Sequence, residues 1–155
     1  MIERRRKLSV RIPRGVDSGS RIRIGGEGDA GAKGGPPGDL YLIVHVRPHE
    51  IFQREGDDLI CEVRISFPTA ALGGEEEIQT LDGAVRLKVP PGTQSGSIFR
   101  LRGRGMPSLR GGQGDLHARI VVVTPTKLSS RERELLKELA ELQKKRSRQG
   151  FFNRV

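Results

Sequence analysis

The chain has 155 residues, room for one ordinary domain or two small ones, and its 34% hydrophobic and 4% aromatic content exclude a thick aromatic-rich core. With 21 Gly and 9 Pro, short strands and tight turns are favoured over long helices. The net charge of +9 favours acidic partners (nucleic acid, an anionic membrane surface or acidic peptide tails) or else marks solvated arms beside folded parts.

From the amino end, Arg4-Arg5-Arg6-Lys7 is a basic run without the apolar segment of a signal peptide. Leu8, Val10 and Ile12 then alternate with polar residues, the period of a half-buried strand. Pro13-Arg14-Gly15 stops pairing and opens a turn, and Ile22 and Ile24 predict the return strand. Gly26-x-Gly28-x-x-Gly31 fits the dinucleotide fingerprint by letter, but Gly34-Gly35-Pro36-Pro37-Gly38 denies it the helix that would bind pyrophosphate. It reads as a flexible loop. Leu40, Leu42, Val44 and Val46 predict a third strand, with Tyr41 and Ile43 making its other face partly apolar. His45 and His49 lie four residues apart, but on a strand that is about 13 Å. Pro48 intervenes, so no metal site is expected there; His117 is the one other imidazole.

Leu59, Cys61, Val63 and Ile65 alternate as a further strand. Cys61 is the single cysteine, which excludes a disulfide within the chain and a Cys-based zinc site, and suits a reducing cytoplasmic setting. Ser66–Leu72 predicts one short helical turn, ended by Gly73-Gly74; Glu75–Leu81 predicts a strand, joined through Asp82-Gly83 to Val85 as a hairpin. Val85-Leu87-Val89, Phe99-Leu101 and Leu116-Ala118-Ile120-Val122 supply three more alternating runs. Ser129-x-x-Glu132 is a capping box. It opens a helix over Arg131–Lys145 whose Leu135, Leu139 and Leu142 share one stripe, broadened by Leu136. Gly150 ends that pattern and Phe151-Phe152 follows; Lys144-Lys145-Arg146 and Arg148 make the tail basic. No apolar run approaches the roughly 20 residues that span a bilayer, so no membrane association is expected.

Self-similarity organises these elements. LSVRIPRGVDSGSRIRIGGEG from Leu8 matches VRLKVPPGTQSGSIFRLRGRG from Val85. Pro13, Gly15, Gly19, Arg23, Gly26 and Gly28 correspond to Pro90, Gly92, Gly96, Arg100, Gly103 and Gly105, and Gly38-Asp39-Leu40 corresponds to Gly114-Asp115-Leu116. Asp39 and Asp115 could form a catalytic pair only by converging on a pocket; their repetition instead predicts a turn role, bonding backbone amides. No Ser-His-Asp or Cys-His arrangement has a supporting local signature. The second copy is preceded by the strands within Leu59–Leu81 and the first by only MIERRRK, so the first copy is expected to lack its opening strands. Either the natural chain is longer at that end or a partner lends strands.

In order and spacing, Ile12-Pro13-x-Gly15, Gly26-Glu27-Gly28, Gly38-Asp39-Leu40, Phe52-x-Arg54-x-Gly56-x-x-Leu59, Ala70-Ala71-Leu72-Gly73, Thr80-Leu81-Asp82-Gly83, Pro90-Pro91-Gly92-Thr93-Gln94 and Arg102-Gly103-x-Gly105 resemble the DnaJ-type J-domain co-chaperones of the zinc-containing bacterial class, in their carboxy-terminal region only. The resemblance runs from about Lys7 to Leu142. It implies a mostly β fold of two tandem small β-sandwich-like domains, at 1–50 (incomplete at its amino end) and 51–126, followed by a dimerisation helix and tail at 127–155. It implies a non-enzymatic fragment whose first domain holds unfolded polypeptide clients in a hydrophobic groove beside a sheet edge. The groove positions fall on Leu8 and Leu42, with the smaller Val85 and Ala118 at the same places in the second copy. By spacing alone, Leu8 and Leu42 read as core. The resemblance also implies a homodimer through the Leu135, Leu139 and Leu142 stripe and a DnaK-type chaperone partner. The family's J domain and Cys-rich zinc module are absent, so neither ATPase stimulation nor zinc binding is expected. The alternative reading is a basic nucleic-acid-binding β protein using the amino arm with Arg100, Arg102, Arg104 and Arg110; one Tyr, five Phe and no Trp offer little for base stacking.

Overall fold

A computed structural model of the chain describes residues 7–28 and 38–149, the side chain of Gln149 excepted. The basic Arg4-Arg5-Arg6 run, Gly31, Gly34–Pro37 and the Gly150–Phe152 end of the helical pattern lie outside the described residues. The chain divides into two compact units, Met1–Val122 and Val123–Val155.

The first unit is built from β1 (Arg21–Ile24), β2 (Leu40–Ile43), β3 (Gln53–Glu55), β4 (Asp58–Ser66), α1 (Phe67–Leu72), β5 (Gly74–Thr80), β6 (Gly83–Val89), β7 (Ile98–Leu101) and β8 (Leu116–Val123), which ends at its border. β1 and β2 form an antiparallel pair with Ile22 opposite Leu42. The order β3-β4-β8-β7 makes a four-stranded sheet, and β5 pairs with β6 as a hairpin. Asp58 meets His117 and Glu62 meets Arg119, so β4 and β8 advance in the same direction.

Alternation decides what is buried. Leu59, Cys61, Val63 and Ile65 of β4 point inward, while Glu62 and Arg64 between them stay exposed. They meet Leu116, Ala118 and Ile120 of β8, Ile78 of β5, Val89 of β6, Phe52 and Ala70 in one core. The short α1 begins where the Ser66 hydroxyl accepts the Thr69 N–H at 3.3 Å, has a proline in its first turn, and stops at Gly73 with φ +85°. In the second unit α2 (Ser130–Gln149) opens with the reciprocal capping box: Glu132 N–H donates to Ser129 Oγ at 3.1 Å, and Ser129 N–H donates to Glu132 Oε1 at 3.0 Å. The two bonds to Ser129 hold the Glu132 carboxyl below the usual carboxylate range.

The mostly β class, the repeated strand pattern and the terminal helix are as the sequence predicts. Three local readings are corrected. Leu8–Ile12 forms no strand, although its counterpart Val85–Val89 lies within β6. The alternation is present in both, but β6 has β5 to satisfy its backbone, and among the described residues no strand pairs with Leu8–Ile12. β2 ends at Ile43, earlier than Val46, although Val44 still exchanges backbone bonds with Gly19 and Ser20. The hairpin connection is Leu81-Asp82, with Gly83 at φ +114° already paired to Thr80. The short β3 has no apolar alternation and was legible only as part of the Phe52-x-Arg54 motif.

Candidate functional site

The two repeat copies share the same set of loop hydrogen bonds. In the first, Arg23 Nε donates to Asp39 Oδ2 at 2.7 Å and the Gly26 N–H donates to Asp39 Oδ1 at 3.3 Å. In the second, Arg100 Nε donates to Asp115 Oδ2 at 2.7 Å and the Gly103 N–H donates to Asp115 Oδ1 at 2.9 Å. The Ser18 hydroxyl accepts from Val46 N–H as Ser95 accepts from Val122 N–H. The aspartates therefore do bond backbone amides, but across the glycine-rich loop rather than within one turn. The Gly103 amide and then the Arg100 guanidinium hold the Asp115 carboxyl below the usual range. The Asp115 amide and then His117 do the same for Asp58.

With the local frame equal, the copies differ in what lies beside it. In the second copy, Phe99, Leu101, Leu116, Ala118 and Ile120 face the core, and Leu116, Ala118 and Ile120 are fully buried. The outer margin of β8 is occupied by β4, which begins with Leu59 N–H donating to Asp115 O at 2.9 Å. In the first copy the matching Ile22, Ile24, Leu40, Leu42 and Val44 are only half-buried. Among the described residues no strand lies on the corresponding margin of β2. Leu42 sits on that strand opposite Ile22, its side chain on the half-buried face. Leu8 is 39% exposed and belongs to no strand, so the sheet does not unite it with Leu42. On the other face Tyr41 and Ile43 are exposed. Val85, the equivalent of Leu8, is half-buried in β6, and Ala118, the equivalent of Leu42, is sealed.

Past β2 the chain continues through Val46 and Pro48 into a concavity of about 530 Å³, walled also by Phe52, Leu59, Leu81 and Met106. The sequence reading missed this place and the residue that organises it. Arg54 donates to the backbone oxygens of Val16 at 2.7 Å, Gly15 at 3.3 Å and Gly56 at 2.7 Å, tying the first copy's turn to the four-stranded sheet. Its place in Phe52-x-Arg54-x-Gly56 was the only signal. His49 accepts the N–H groups of Ile51 and Phe52 on Nδ1 and lies 5.0 Å from the Phe52 ring, so it acts as a local cap. Burial pushes the Cys61 thiol pKa up, keeping it in the unreactive protonated form.

In the second unit, α2 aligns Leu135, Leu139 and Leu142 as expected: Leu135 is 46% exposed, Leu142 is 57% exposed and Leu139 is half-buried. Among the described residues no helix is long and apolar enough to cross a membrane.

Comparison with known proteins joins these observations. Residues 2–125 match the family model of the DnaJ C terminal domain. The chain is 52% identical to the chaperone protein DnaJ of Brevibacillus choshinensis over 97% of its own length and 42% of the relative's. It is 50% identical to that of Parageobacillus thermoglucosidasius over 99% of the chain and 42% of the relative, and 55% identical to that of Geobacillus kaustophilus (strain HTA426) over 91% and 37%. The chain thus spans about two-fifths of the length of the curated relatives it matches. By its matched residues and its repeated Gly-Asp-Leu frame, it belongs to the DnaJ C-terminal domain family.

Proposed function

We propose that the chain is the client-holding part of a co-chaperone. It takes extended, apolar segments of unfolded or misfolded polypeptide in a hydrophobic groove of the first repeat, with Leu8 and Leu42 as its apolar positions. The single observation behind this reading is the contrast between the copies. On the face that β4 and the β5–β6 hairpin seal in the second copy, Leu116, Ala118 and Ile120 are fully buried, whereas the matching Leu40, Leu42 and Val44 of the first copy are half-buried. An extended client lying along a sheet edge is held by backbone N–H and C=O groups without demanding a sequence, and flanking apolar side chains favour Leu-, Ile- or Phe-rich segments. Holding is non-covalent and suppresses aggregation. Pairing of two copies through Leu135, Leu139 and Leu142 sets two such grooves on one particle and raises avidity. Clients held this way pass to a DnaK-type chaperone. The relatives' name, chaperone protein DnaJ, agrees with this role.

The test is Leu42→Asp in the full chain. Burying a leucine against a ligand is worth about 1.5–3 kcal/mol, so a carboxylate there weakens binding of a fluorescent Leu-rich peptide by at least about tenfold. Suppression of model-protein aggregation falls in parallel, while the far-UV spectrum stays unchanged. Equal peptide affinity in a folded variant removes the groove from β2. Binding of the peptide should also persist at high salt, whereas a phosphate-dominated interaction with nucleic acid declines steeply.

A further inference from the structure

Among the described residues, sulfur occurs at Cys61 and Met106, and their surroundings differ. Cys61 points into the core from β4 and is 3% exposed. A thiol also reacts with oxidants as the thiolate, a form that burial disfavours. Met106 is half-buried: it packs against the core and also lines the concavity walled by Val46, Phe52, Leu59 and Leu81. A thioether has no proton to lose, so its lone pair is available at any pH and access governs its reaction. A space of about 530 Å³ readily admits a peroxide, a molecule little larger than water, whose share of the liquid is about 30 Å³.

The position is also mechanically sensitive. Met106 lies in the glycine-rich loop between β7 and β8, and its backbone is bonded on both sides. Its N–H donates to Asp57 O at 2.7 Å, and its carbonyl accepts the Gly114 N–H at 2.9 Å. The next carbonyl, Pro107 O, stands so close to Gly15 of the first copy that a Cβ there would collide with it. The Met106 side chain therefore backs the point where the two copies touch.

We propose that Met106 is an oxidation site through which hydroperoxides loosen the contact between the repeat copies. The sulfur lone pair attacks one oxygen of hydrogen peroxide, and the S–O bond forms as the O–O bond breaks. The thioether is oxidised to the sulfoxide and the peroxide is reduced. The departing hydroxide takes the proton of the transferred oxygen and leaves as water. The sulfoxide is uncharged but a strong acceptor, and the apolar walls at Phe52 and Leu59 offer it no donor. It turns toward solvent, which draws the side chain off the core and slackens the loop at Pro107.

The test exposes the full chain to hydrogen peroxide and follows it by peptide mapping, which separates Met106 from Met1. The added oxygen should appear at Met106 in the folded chain, at equal rates on either side of neutral pH, whereas Cys61 reacts only once urea unfolds the chain. Oxidation should raise the unfolded-to-folded ratio by roughly fivefold to thirtyfold. Amide exchange should quicken at Gly105, Met106 and Gly114, whose N–H groups hold the loop. Met106→Leu nearly conserves volume and should keep its urea midpoint through the same treatment. Met106→Gln installs a polar group permanently and should reproduce the loss without peroxide. Oxidation of Met106 only in urea, as for Cys61, overturns the site. Ready oxidation with an unchanged urea midpoint, an equal loss in Met106→Leu, or a Met106→Gln chain as stable as the unmodified one overturns its consequence.

Discussion

Arg54→Ala removes the side chain that fastens the first repeat to the four-stranded sheet. Arg54 is only 15% exposed, and its guanidinium serves three backbone oxygens, with the carboxylates of Asp17 and Asp57 farther off at 3.6 and 3.9 Å. Hydrogen bonds from a charged donor contribute about 1.5–3 kcal/mol each when their loss strands a buried acceptor. Gly15 and Val16 are half-buried, so water recovers part of that loss, and the two half-exposed carboxylates add about 0–1 kcal/mol. The net expectation is a destabilisation of roughly 2–4 kcal/mol, which for a chain of this length lowers Tm by about 5–15 °C. Urea unfolding measures it. Amide exchange then locates it: Gly19, Ser20 and Val44, which hold the first repeat's turn to β2, should lose protection before the core amides of β4 and β8. Arg54→Lys keeps the charge but not the planar fork, and should recover less than half of the stability. A loss below about 0.5 kcal/mol for Arg54→Ala, the range of an ordinary surface change, refutes the fastening role. Full recovery with lysine refutes its geometric basis.

Other consequences are simpler. Gly15 has φ +87° and a Cβ there would stand 2.4 Å from Pro107 O, whereas Gly19 at φ +92° has nothing within 4 Å. Gly15→Ala should therefore lower the urea midpoint clearly more than Gly19→Ala, and equal losses would show that the close approach does not matter. Asp115 is held below the usual carboxylate range by the Gly103 amide and Arg100. Its contribution is complete above the unfolded-state value of about 3.9 and disappears as pH falls through the lower folded value. Asp115→Asn should accordingly flatten the loss of stability below about pH 4, leaving the parts due to Asp58 and Glu132; an unchanged acid limb would contradict this. Leu139→Asp buries a charge in the proposed helix pair and should give monomers by sedimentation, so an unchanged mass would take α2 out of the interface.

The sequence by itself determined the strand faces, the capped helix and the duplicated frame, because period-2 alternation, capping chemistry and paired Arg–Asp–Gly positions are written locally. It could place Leu42 and Ala118 at equivalent positions but could not say that one is half-open and the other sealed. Exposure depends on which strands arrive from elsewhere, and β4 reaches β8 across a separation that no local pattern encodes. Leu8–Ile12 makes the same point from the other side: alternation prepares a segment to be a strand, but only a neighbouring backbone makes it one. Arg54 was equally hidden, since a single polar residue on a short edge strand carries no periodic signal. Its meaning comes from carbonyls at Gly15 and Val16, nearly forty residues away in the chain.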